Sequence, residues 1–323
     1  MLRKATLTID QLCDLFLSEK APQWQKPKTG RPTDTFKVAA NCLSQFCEFR
    51  YRPSDAGWQV RVGNLPVDQM SAKVLYEWQQ ALARSRRLRR TTIDGKFVYY
   101  VRYVFNWAAE PVRDLVDESI PARLRVVRQL RYGRSPALEP KAVLSVSRED
   151  VEAVCQYADE RLATMLRVHW HTGARPGEIC QMARTEIDRA YTPWHYQPVE
   201  HKSELTKKRR LILIGPEGRQ VLGPWMDAHP GKYLFANPPG CRAAGKPMNA
   251  NSYREAVQRI QRRHGLRKWN PQQIRHSFAT RVQRETRDRG AAQLLLDHSS
   301  AQTTEHYLDP DTQRKIELAE RFG

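Results

Sequence analysis

The stretch GRSPALEPKAV, with Gly133, Pro136 and Pro140, breaks the helical periodicity that runs through most of this chain. Before it, apolar residues recur at helical spacings in four stretches. They are Leu7, Leu12, Leu15 and Phe16; then Phe36, Ala40, Leu43 and Phe46; then Val74, Leu75, Trp78 and Leu82 behind a Ser71 cap. The fourth begins at Thr92 and carries Phe97, Tyr100, Val101, Val104, Phe105 and Ala108. The segment from Pro53 to Pro66 reads as a loop. Beyond the break, Ser147 with Asp150 predicts a capped helix start, and Leu162 to Thr172 predicts a helix. Two short strands are expected around Tyr196–Val199 and Leu211–Ile214, and helix again from Asn251 onward. The expectation is a mainly α chain with a small β-sheet: a helical domain over 1–132, a linker over 133–146 and a mixed α/β domain over 147–323.

Charge narrows the partner. Residues 1–135 carry 24 basic and 13 acidic side chains, and residues 136–323 carry 30 and 22, so both halves contribute to the formal +19. A polyanion touching both domains is the simplest partner, and double-stranded nucleic acid is the commonest polyanion. RSRRLRR supplies Arg84, Arg86, Arg87, Arg89 and Arg90, and a second cluster is Arg123, Arg125, Arg128, Arg131 and Arg134. Both clusters suit phosphate contacts that carry no base information. No run of about 18 apolar residues occurs, and Asp10, Asp14 and Glu19 interrupt the first apolar stretch, so neither a membrane span nor a signal peptide is expected. The six cysteines form no CxxC pair, which fits buried, reduced thiols in a cytoplasmic protein.

Familiar catalytic patterns are absent. There is no GxSxG, HExxH or EF-hand loop. Gly240, Gly245 and Lys246 have phosphate-loop spacing, but Pro247 lacks the hydroxyl and the N–H required next, so the segment reads as a turn. His169 and His171 are two apart on a helix and face different ways, which disfavours a shared metal.

What remains is a set of cations and a late tyrosine in four segments: TGARPGEI (172–179), EHKSELTKKRRLILIGP (200–216), NPQQIRHSFAT (270–280) and LLLDHSSAQTTEHYL (294–308). Taken together and in this order they resemble the catalytic domain of the tyrosine recombinases, the phage-integrase family. Thr172, Gly173, Arg175 and Glu178 match its T-G-x-R-x-x-E segment. Leu296, His298, Ser299, Thr303, Thr304 and Tyr307 match its final box, with Asp297 where that box has glycine. Gln272 stands where the family's His-x-x-Arg box most often has its first histidine, ahead of Arg275 and His276.

The resemblance implies a SAM-like helical core-binding domain ahead of the catalytic one. It also implies a metal-free reaction with no nucleotide cofactor: Arg175 and Arg275 hold the phosphate oxygens, Tyr307 is the nucleophile, Lys202 is the general acid and His298 positions the phosphate. Lys207 and Lys208 compete with Lys202, although the KKRR run, Lys207, Lys208, Arg209 and Arg210, reads more naturally as phosphate-contacting surface. Gln272 can donate a hydrogen bond but cannot shuttle a proton. Glu178 would orient the arginine, and His276 reads as structural. The implied partner is duplex DNA, held by a homo-tetramer at the synapse (a monomer or dimer when free), with residues 309–323 packing on a neighbour. The implied setting is a mobile element in the bacterial cytoplasm or nucleoid, away from any membrane.

Overall fold

The computed structural model describes residues 7–25, 30–52, 58–198, 210–241 and 243–296. Its contacts divide the chain into two compact units, Met1–Lys141 and Ala142–Gly323.

Unit 1 is built on helices α1 (Ile9–Lys20), α2 (Asp34–Cys47) and α3 (Ala72–Arg84), followed by α4 (Arg90–Thr92), α5 (Tyr99–Ala108) and α6 (Ser119–Arg125). Thr8, Thr33 and Ser71 cap the first three through their hydroxyls. The expected stripes form the core with three amendments, one being that Leu82 of α3 is only half-buried. Leu15 is exposed, its place on the inner face of α1 taken by Ile9 and Cys13. In α2, Ala39 and Cys42 are buried while Phe36 and Ala40 are only half-buried. Between α4 and α5 the backbone makes a π turn, Ile93–Val98, which brings Ile93, Phe97 and Val98 to one buried face. Asp94 in that turn accepts from Gln79 Nε2 at 2.8 Å and from the Leu130 N–H at 2.9 Å. The expected loop includes regular structure: β2 (Val60–Arg61) pairs antiparallel with β1 (Arg50–Tyr51), and a 3-10 turn, Val62–Asn64, follows.

The first helix of unit 2 starts behind Ser147, whose hydroxyl and the Asp150 carboxylate form the expected capping box of α7 (Arg148–Cys155). Helices α8 (Glu160–Thr172), α9 (Pro176–Cys180) and α10 (Pro216–Ala228) follow, then α11 (Ala250–Arg263), α12 (Pro271–Thr286) and α13 (Arg289–Leu296). Among the described residues the sheet has three strands in the order β3–β4–β5, all antiparallel: Ile187–Asp188, Trp194–Tyr196 and Ile212–Ile214. The first expected strand therefore lies two residues earlier than its sequence pattern, and β3 has no counterpart in that pattern. Its two residues are too short to show any period. Tyr196, Ile212 and Ile214 face the core with Met165, Leu166, Val168, Tyr253 and Ile274. The Gly240–Gly245 segment is a turn, with both glycines at positive φ and exposed Cys241 between them.

Candidate active site

The segment TGARPGE is two helix caps back to back. Gly173 ends α8 in the left-handed conformation, φ +57°. A Cβ at that position would meet the Phe278 ring at 2.5 Å, so glycine is required by the backbone and by the packing alike. Two residues on, Arg175 is the extended N-cap of α9, Pro176 occupies its first turn, and Glu178 reaches back to accept the Arg175 N–H at 2.7 Å. Ala174 between them is held by His169, whose ring lies 2.9 Å from the Ala174 carbonyl and 3.1 Å from the Tyr253 hydroxyl. A carbonyl only accepts, so Nε2 carries the proton and the tyrosine donates to Nδ1. Complete burial holds the His169 imidazolium down at about 3, so the ring is neutral. This role explains why His169 is on the buried face of α8, and His171 makes its own contact elsewhere, to Glu217 at 2.9 Å.

The two arginines meet in one network. Arg175 is partly exposed and donates through Nη1 to Glu178 at 2.8 Å. Arg275, on the second turn of α12, is fully buried; its Nη1 donates to the Gly173 carbonyl and its Nη2 to the Leu296 carbonyl, each at 2.9 Å. Leu296 O accepts a second arginine, Arg210, through Nη1 at 2.8 Å, and Arg210 Nε donates to Glu178 at 3.2 Å. Glu178 is almost wholly enclosed. Burial raises its carboxyl, but the Arg210 charge, the Arg175 N–H and the Arg175 charge outweigh that and leave it below the usual carboxylate range.

Gln272 sits at the start of α12, half-buried, with its N–H donating to the Asn270 side chain at 3.0 Å. His276 is buried beside Arg275. Lys202, Lys207, Lys208, Arg209, His298, Tyr307 and the segment 309–323 lie outside the described residues. Among the described residues, no group of three or more His, Cys, Asp or Glu side chains is placed to hold a metal ion.

Sequence reasoning treats Arg210 as one more surface cation of the KKRR run, and the structure corrects this: its side chain is 4% exposed. The missed signal is the alternation of β5. Leu211 and Leu213 are exposed while Ile212 and Ile214 are buried, and extending that period back by two turns Arg210 inward.

Of the first basic cluster, Arg84, Arg86, Arg87 and Arg89 are exposed. Arg90 is engaged internally, pairing with Glu139 at 3.0 Å and donating to the Leu130 carbonyl at 2.9 Å. Arg128, Arg131 and Arg134 line an open groove of unit 1 with Lys73 and Tyr76.

The sequence profile of the phage integrase family matches residues 145–314. A tyrosine recombinase XerC of Herpetosiphon aurantiacus is 23% identical over 299 residues, covering 89% of this chain and 88% of its own length. Among solved structures, the Tn1549 transposon integrase in complex with circular intermediate DNA superposes with a TM-score of 0.67 at 16% identity, covering 97% of this chain and 99% of that one. A lambda integrase tetramer bound to a Holliday junction gives 0.67 at 14% identity, covering 94% and 78%.

Proposed function

The chain belongs to the phage integrase family, and from that premise we propose that it is a site-specific DNA recombinase working through a 3′-phosphotyrosyl intermediate. The observation that carries this reading is the pair of arginines, Arg175 and Arg275, joined through Glu178, Arg210 and the Leu296 carbonyl two residues before His298.

The Tyr307 oxygen attacks the scissile phosphorus and releases its phenolic proton to solvent, a new O–P bond forms, and the bond to the 5′ oxygen breaks. Lys202 gives that oxygen its proton, so the products are a phosphotyrosyl enzyme and a free 5′ hydroxyl. The ester keeps its energy, and a partner strand's 5′ hydroxyl reverses the step. Negative charge grows on the non-bridging oxygens, where planar guanidinium forks stabilise it without a metal. Arg175 is already accessible. Arg275 reaches the phosphate by exchanging one of its two carbonyl partners for a phosphate oxygen. Duplex DNA is the substrate, and the exposed arginines of unit 1 supply contacts along its backbone. Four copies on two synapsed duplexes follow the arrangement named for the lambda integrase.

The test is a nicked suicide duplex, its sequence selected for binding from a randomised pool. The wild type traps a covalent adduct in EDTA as well as in magnesium. Tyr307→Phe removes only the nucleophilic oxygen, so it binds the duplex and traps nothing. An adduct that persists in Tyr307→Phe, or one that forms only with magnesium, would overturn the reading.

A further inference from the structure

We propose that Arg210 is a positioning residue of this site: a buried counter-ion that holds Glu178 charged, so that Arg175 is free to turn to the phosphate. The inference rests on the recombinase reading above and adds a residue to it.

Glu178 is 4% exposed, and an enclosed carboxylate needs a cation in contact to stay ionised. Among the described residues two are present, and they differ in accessibility. Arg175 is 29% exposed and is the one able to swing outward. Arg210 is 4% exposed and fixed at both ends, with Nε on Glu178 and Nη1 on the Leu296 carbonyl. Remove Arg210, and among the described residues Arg175 alone is left paired with Glu178. The carboxylate then either pins that guanidinium or takes up a proton.

The charge count points the same way. Three arginine charges less one carboxylate leave +2 in the network of Arg175, Arg210, Arg275 and Glu178. A phosphodiester enters with one negative charge and approaches two as the phosphorus becomes five-coordinate. Arg210 therefore matches the site to the transition state and not to the bound ground state.

Position reinforces charge. Arg210 stands two residues before β5 and eight residues after Lys202, while Leu296 stands two residues before His298. One guanidinium thus ties the chain ahead of β5 to the end of α13 and to the carboxylate that holds Arg175.

The probe is the selected nicked duplex, made with an ordinary scissile phosphodiester and, separately, with an uncharged methylphosphonate there. Full-length wild type, Arg210→Met and Arg210→Lys are compared for duplex affinity, melting temperature and rate of adduct formation. Arg210→Met is expected to bind within about twofold of wild type and to form adduct about a hundredfold more slowly, the scale of one charge-assisted hydrogen bond. Arg210→Lys keeps the charge without the two-ended fork and is expected to lose about tenfold. The discriminating readout is the ratio of wild-type to variant rate on the two linkages. It shrinks on the methylphosphonate, where less negative charge develops.

A variant as fast as wild type, or a ratio equal on both linkages, overturns the proposal. If Arg210→Met loses its cooperative melting transition, Arg210→Gln, which also removes the charge, is measured in its place and its ratio decides. If wild type itself forms no adduct on the phosphodiester, the recombinase reading fails first and this inference falls with it.

Discussion

Gln272 is the residue where this chain departs furthest from the pattern it otherwise follows. A neutral amide at the start of α12 can hold a phosphate oxygen but exchanges no proton. Gln272→Ala is accordingly expected to slow adduct formation by about 10–1000-fold, the range for one transition-state hydrogen bond, and Gln272→His to equal or exceed wild type. Adduct rates on the nicked duplex check both; no loss in the alanine variant would remove Gln272 from the site. His169 carries a different signature. Its folded value of about 3 lies below the ordinary 6.5, so the unfolded chain binds the extra proton in between. The stability it lends is complete above pH 6.5 and is lost as pH falls toward 3, by up to about 1.4 kcal/mol per pH unit. His169→Gln keeps a donor for Ala174 and does not titrate. Between pH 6.5 and 4.5 its urea midpoint should be flatter than that of wild type, and parallel profiles would show that His169 is not the group responsible. The roles of these two residues are unequally legible in the sequence. Gln272 stands out against the Arg275 box, whereas the partners of His169, Tyr253 and Ala174, are brought to it only by folding.

Among the elements, those with four or more apolar positions at one spacing are legible in the amino-acid pattern itself. Helices α3 and α8 fall within two residues of their patterns because Ser71 and Asp159 cap them and buried stripes continue to their ends. The pattern fails where an element is shorter than its own period, as in β3, and where geometry changes inside a helix, as in the π turn at Ile93–Val98. Arg210 shows the opposite failure: the period is present in β5, but the surrounding cations mask it. The junction of α8 and α9 is where local and tertiary demands coincide. Gly173→Ala places a side chain in the left-handed region and drives a methyl into Phe278, at a cost of about 2–5 kcal/mol. Because Arg275 donates to the Gly173 carbonyl, adduct formation should fall together with the urea midpoint. A variant of unchanged midpoint would mean that the turn can relax.

For the molecule as a whole, positive charge is spread over both units, so the chain's affinity for a polyanion is not confined to the unit that carries the arginine network. The cysteines are distributed far less evenly in accessibility. Cys13, Cys42, Cys47, Cys155 and Cys180 are buried, and Cys241 on the Gly240–Gly245 turn is exposed. Burial pushes the Cys42 thiol up to about 11 and those of Cys155 and Cys180 up to about 12, away from the reactive thiolate. A chromogenic disulfide reagent should consequently titrate about one thiol per chain in native protein and six in denaturant; a native count of two or more would contradict this burial pattern. The native chain thus offers one attachment point for a fluorophore without any cysteine being replaced, so assembly on DNA becomes countable by stepwise photobleaching, one step for each copy present.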